Sequence, residues 1–132
     1  MTKISKLDCR ILEISTNEDD VLIIGFSEDD SYENTLIIQY LDEQTEDDIE
    51  NGWSKYYLEY SLSNMVSYSC LSKVIVNSNE VKFILNETGE NVFNLNEIHI
   101  KFKFEKVRIL ELVEIFTKIF NDGEVNLEIN IG

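Results

Sequence analysis

Glycine, histidine, cysteine and basic side chains are all scarce in this chain, and proline is absent. The five glycines form no G-x-G-x-x-G, no Walker-type loop and no G-x-S-x-G elbow, so the dinucleotide, nucleoside-triphosphate and serine-hydrolase signatures are missing. One histidine, His99, cannot supply a histidine-based zinc cluster, and Cys9 and Cys70, far apart and outside any C-x-x-C pair, do not complete one. Two lone cysteines read as reduced thiols. The longest apolar run, "VLII", is about four residues, too short for a helix across a bilayer. The opening "MTKISKLDCR" lacks the apolar stretch of an export signal. The expectation is a cytoplasmic protein. Eleven bases stand against 26 acids, a net charge of −15 that argues against direct binding to nucleic acid or an anionic membrane.

What is present suits one domain over 1–132. Apolar residues make up 43% and charged residues 28%, with seven Phe and six Tyr to build a core without disulfide or metal. The charge is uneven. Residues 1–50 carry 15 acids against Lys3, Lys6 and Arg10, whereas the remaining 82 residues carry 11 acids and 8 bases. Such asymmetry bears on steering and partner choice rather than fold, and it fits a cation or a basic protein partner.

Period-two alternation dominates. It predicts strands at 9–15, 21–27, 35–41, 56–63, 71–76, 81–85, 98–104 and 125–131, with Asn77-Ser78-Asn79-Glu80 as a hairpin turn. In 56–63 Tyr56, Leu58, Tyr60 and Leu62 share one face, and Tyr57, Glu59 and Ser61 the other. His99, Lys101 and Lys103 fall on an outward face, which makes His99 an ordinary surface residue. One segment is helical: Ile109, Leu112, Val113, Phe116, Ile119 and Phe120 form a stripe at a period of 3.6. Gly123 follows as a stop, while Lys106 and Arg108 oppose the dipole at the start. A right-handed crossover follows if the strands flanking this helix are parallel neighbours. The predicted architecture is α+β: an antiparallel-rich β-sheet of about six to eight strands with one long C-terminal amphipathic helix packed on one face.

Glu-Asp-Asp occurs three times, at 18–20, 28–30 and 46–48, after Asn17, Ser27 and Thr45, which are turn-closing residue types. None of the triplets has the central Gly or the ligand spacing of an EF-hand, and adjacent carboxylates on a strand diverge, so no metal site is expected. The first two read as solvated turns. The third lies in the densest stretch, Asp42, Glu43, Glu46, Asp47, Asp48 and Glu50, and aromatic residues follow at once: Trp53, Tyr56 and Tyr57. Tyr56 shares the Leu58 face and reads as core. Trp53, Tyr57 and Glu59, with the six carboxylates before them, make the candidate binding surface, since Trp and Tyr most often dominate interface energies. No catalytic residue and no cofactor is expected: acidic pairs abound, but nothing in the sequence marks a cleft or a raised pKa.

From 36 to 120 the order of motifs resembles the immunity protein 10 family of bacterial polymorphic-toxin systems. "LIIQYLDEQ" runs into "TEDDIENGW"; then come "YYLEYS" with Glu59, the pair Ser67-Tyr68 in a turn, the hairpin "LSKVIVNSNEVKFIL", "IHIKFKF" and the helix ending "IFTKIF". The chain departs from the pattern at Ser69-Cys70, where similar proteins tend to have glycines, and these residue types resist positive φ. The last strand also lies outside the match. The resemblance implies a non-enzymatic protein that binds the C-terminal domain of a cognate toxin and protects the producer. An acidic face suits a basic toxin domain such as a nuclease. The alternatives are an acidic protein-binding or nucleic-acid-mimic module of another pathway, an enzyme acting through paired carboxylates, and a calcium-dependent fold.

Overall fold

Two sheets, rather than one, take up the alternating segments. The computed structural model describes residues 2–17, 20–41, 56–120 and 123–131. Among these residues lie ten strands: β1 (Ile4–Asp8), β2 (Ile11–Thr16), β3 (Leu22–Ser27), β4 (Thr35–Tyr40), β5 (Tyr56–Tyr60), β6 (Met65–Tyr68), β7 (Leu71–Asn77), β8 (Glu80–Leu85), β9 (Glu97–Lys101) and β10 (Asn126–Asn130). Two helices, α1 (Glu87–Phe93) and α2 (Lys106–Ile119), complete them. The first sheet has the order β1-β9-β8-β7-β10 and the second β2-β3-β4-β5-β6.

The class is α+β as predicted, but three details differ. The strands number ten because β1 and β6 escape the alternation rule. β1 buries Leu7 at 2% exposure and little else, and β6 is four residues long with only Ser67 buried. Secondly, the amphipathic helix is 14 residues and is followed by β10, so it is not C-terminal. Thirdly, β9 and β10 are not neighbours. Both run parallel to β7, with β8 and β7 lying between them. The helix therefore links two separated strands. The second helix, α1, is seven residues, too short for periodicity to reveal. Its signal is chemical: the Asn86 side chain accepts from the Gly89 N–H at 2.9 Å, and Asn94 closes the other end at φ 56.

Helix α2 ends on Phe120, whose N–H donates to the Phe116 carbonyl at 2.9 Å; Gly123, at φ 86, shapes the turn into β10 instead. The start has no side-chain cap. Its misplaced cation is used elsewhere: the Arg108 guanidinium donates to the Leu12 carbonyl of β2 and pairs with Glu111 at 2.8 Å.

One apolar cluster joins all of this. The Phe83 ring of β8 meets Phe26 of β3 edge-on at 6.1 Å and Phe116 of α2 at 6.0 Å. Phe120 meets Tyr56 of β5 at 5.5 Å. The helix stripe thus contacts both sheets. Polar bonds tie the sheets as well: Ser5 and Tyr60 join through their hydroxyls, and the Leu71 N–H donates to the Tyr56 hydroxyl at 3.2 Å.

At Ser69-Cys70 the chain makes a tight turn without glycine. Ser69 adopts φ 48, its carbonyl accepts from the Asn86 side chain at 2.6 Å, and the Cys70 carbonyl accepts from the Asn86 N–H at 2.9 Å. Gly89 lies against the same turn, and a Cβ there would clash with the Cys70 carbonyl.

Candidate functional site

The second sheet is core on one side only. Its inner face sends Ile24, Phe26, Leu36, Ile38, Leu58 and Tyr60 to zero exposure. Period two then places Ile23, Gly25, Ile37, Gln39, Tyr57, Glu59, Val66 and Tyr68 on the outer face. Register makes rows across it. Gln39 stands beside Tyr57 and Tyr57 beside Tyr68; Gly25 stands beside Ile37, Ile37 beside Glu59 and Glu59 beside Val66.

Tyr57 and Tyr68 pack as a tilted ring pair with centroids 5.4 Å apart. Tyr57 is half-buried, while Val66 and Tyr68 are 46% and 38% exposed. Burial raises the Tyr57 pKa above its ordinary value, with the Glu59 carboxylate and Tyr68 adding to the rise. The phenol therefore stays protonated at neutral pH and offers a donor beside an acceptor carboxylate. A Cβ on Gly25, in the middle of the face, would meet nothing within 4 Å among the described residues. Toward the β2 side Tyr32, at φ 57 and 53% exposed, donates its hydroxyl to Glu13 at 2.7 Å. A bulky residue in the left-handed region is rare and carries strain.

Of the predicted surface, Tyr57 and Glu59 sit together on this outer face. Asp42, Glu43, Glu46, Asp47, Asp48, Glu50 and Trp53 lie outside the described residues. The strand ends that flank them are Tyr40 and Tyr56, paired with each other at the edge of the sheet where Leu22 also pairs Tyr40 and Thr16 pairs Leu22. Tyr56 is core, as its face requires. Sequence reasoning placed Tyr68 in a turn. The signal for its true position is the short β5–β6 hairpin, turned at Asn64 with φ 53, which sets Tyr68 beside Tyr57.

The remaining acidic turns are local. The Asn17 side chain accepts from the Val21 N–H at 3.1 Å, closing the first turn as predicted. In the second, Asp29 rather than Ser27 does this work: it accepts from the Ser31 N–H at 3.0 Å and from the Ser31 hydroxyl, which holds its carboxyl below the ordinary range. Ser27 is instead buried at 3% within β3. The 28–34 turn lies at the opposite end of the sheet from Thr16, Leu22, Tyr40 and Tyr56. His99 also departs from expectation. It points outward from β9, yet it is 7% exposed, with Nε2 2.9 Å from Glu97 and Nδ1 3.8 Å from Glu80. Among the described residues no group of three or more His, Cys, Asp or Glu is placed to hold a metal ion, and no helix is long and apolar enough to cross a membrane.

The aromatic pair on this face is of a residue type enriched where proteins bind proteins. Residues 8–110 match the family model described as Immunity protein 10, more than three quarters of the sequence, and the chain belongs to that family. Immunity proteins neutralise toxins and are generally non-catalytic, so a toxin protein is the partner that membership implies. The match begins further toward the N-terminus than the resemblance from 36 to 120. It takes in the whole second sheet and leaves β10 outside. No curated protein and no solved structure matches the chain.

Proposed function

We propose that this chain neutralises a basic toxin domain by covering it with the outer face of the second sheet, and that it catalyses nothing itself. Tyr57 and Tyr68 form the anchor, Glu59 the charged contact beside it. Asp42, Glu43, Glu46, Asp47, Asp48, Glu50 and Trp53, in the sequence between β4 and β5, supply the steering charge and a further aromatic. The observation that supports this reading is the packed pair of half-buried Tyr57 and exposed Tyr68 on the outer sheet face, in a family member of net charge −15.

The division of labour follows from physics. Carboxylates steer a cationic partner and raise the on-rate by up to several orders of magnitude at low salt, an effect that salt screens. A desolvated aromatic anchor sets the off-rate. A nucleic-acid mimic would need its charge along one continuous face. The triplet at 28–30 stands at the far end of the sheet from the strands that flank the other two, which speaks against it.

The test is association with the cognate toxin domain, followed over a range of ionic strength. The triple substitution Asp47→Asn, Asp48→Asn and Glu50→Gln is expected to slow association about tenfold at low salt and to flatten its salt dependence. An unchanged rate and slope, with the fold intact, would overturn the electrostatic part.

A further inference from the structure

Away from that face, in this strongly acidic chain, Arg10, Lys101 and Lys103 line one hollow. A cavity of about 610 Å³ is lined by Asp8, Arg10, Asn79, Lys101, Lys103 and Phe104, among others. It is assembled from three segments fastened to one another through the backbone. The Cys9 N–H donates to the Lys101 carbonyl at 2.7 Å, the Phe102 N–H to the Asn79 carbonyl at 3.0 Å, and the Arg10 N–H to the Ser27 carbonyl at 2.9 Å. Phe104 stacks on buried Phe102 with centroids 4.7 Å apart and planes 10° apart, which fixes the ring as a wall of the hollow.

The charges here make no close ion pair among the described residues, although, beside the Ser31 bonds, the Arg10 guanidinium is near enough to Asp29 to help hold that carboxyl down. Lys73, Lys82 and Arg108 each pair with a carboxylate. Arg10, Lys101 and Lys103 have none within ion-pairing distance among the described residues, although carboxylates outnumber bases 26 to 11 in the chain. Against Asp8, the only carboxylate lining the hollow among the described residues, they leave a local charge of about +2. The repulsion from the rest of the molecule is screened beyond about 8 Å at physiological ionic strength, so the local set decides what binds. A dianion is complementary to it, and Arg with Lys is the usual donor set for phosphate. The volume lies within the range of small-molecule pockets, roughly 300–1,000 Å³.

We propose that this hollow seats the phosphate of a small phosphomonoester, with Arg10, Lys101 and Lys103 on the oxyanion and the Phe104 ring against the organic part. The site stands apart from the toxin-binding reading and needs none of it.

The experiment is an amide-resolved NMR titration of the whole chain with adenosine monophosphate as probe, and with adenosine as its uncharged counterpart. Expected is a saturable shift of amides at 8–10, 79 and 101–104, absent with adenosine. It should weaken about tenfold or more in Lys101→Gln/Lys103→Gln and stay unchanged in Lys73→Gln. The lysines are exposed, so the double variant keeps its fold, and its unshifted core amides verify that. No saturable shift up to about 10 mM, equal binding by adenosine, or equal affinity in the double variant would each overturn the proposal. Selective binding of an aspartate-rich peptide over the nucleotide would do so too, by making the occupant a polypeptide carboxylate.

Discussion

Phe26 and Phe83 meet edge to face across the gap between the two sheets, centroids 6.1 Å apart and planes at 72°. Both are fully buried, and Phe83 also receives Phe116 from helix α2. Truncation at this junction should be among the costliest in the chain. Phe83→Ala is expected to lose about 3–5 kcal/mol in urea unfolding. A double-mutant cycle with Phe26→Ala should return a coupling of about 0.5–1.5 kcal/mol, the increment typical of an aromatic pair. A coupling near zero would mean that the sheets are held by area alone.

At Ser69 the chain keeps a left-handed turn without glycine, with φ 48. The L-side chain there costs about 1–2 kcal/mol, and glycine would return some of that gain through a more flexible unfolded chain. Ser69→Gly should therefore stabilise the protein by about 0.5–1 kcal/mol, read as a higher midpoint in urea at unchanged m-value. Ser69→Val, branched at the same φ, should destabilise it.

Burial pushes the Cys9 thiol up to about 11 and the Cys70 thiol up to about 12. Both groups are neutral in the folded state well above the pH at which an unfolded thiol, near 9, ionises. Their contribution is complete below pH 9 and is lost as pH rises through the window from about 9 to the folded values. Each thiol should then lower stability by about 1.4 kcal/mol per pH unit within that window. Unfolding curves at pH 8 and pH 10 give the measurement, and Cys9→Ala should remove one thiol's share of the slope. The same burial predicts that neither cysteine reacts with a thiol reagent at neutral pH until the chain opens.

On the outer face, two neighbours in β5 should fail differently. Tyr57→Ala removes the proposed anchor and is expected to raise the toxin off-rate by tenfold or more, a loss of about 2 kcal/mol or greater. Glu59→Gln keeps the shape and removes the charge, so its main effect should fall on the on-rate and on its salt dependence. Surface-binding kinetics at two ionic strengths separate the pair.

The strands were readable because alternation is local. Tyr56, Leu58 and Tyr60 declare one face and Tyr57 and Glu59 the other, whatever the strands pair with. The division into two sheets was not readable, because it rests on parallel pairings such as Ile4 with Glu97 and Leu127 with Val74, which no local pattern encodes. Nor does periodicity find a seven-residue helix held by Asn86 and Asn94. On the outer face of the second sheet, the places of Tyr57 and Glu59 followed from the pleat, whereas that of Tyr68 depended on the register of a hairpin turned at Asn64. His99 looked like a surface residue because its neighbours alternate with lysine. The two glutamates that close over it lie on β9 and the adjacent β8.

The first sheet takes its two border strands from residues 4–8 and 126–130, on either side of the β7–β8–β9 meander. A ribosome must therefore release residues 126–130 before that sheet can close, and β1 waits unpaired while some ninety residues are made. Closure of such distant contacts is slow. For a molecule whose family works by intercepting a poison, the interval between synthesis and protection is set by this late-arriving border.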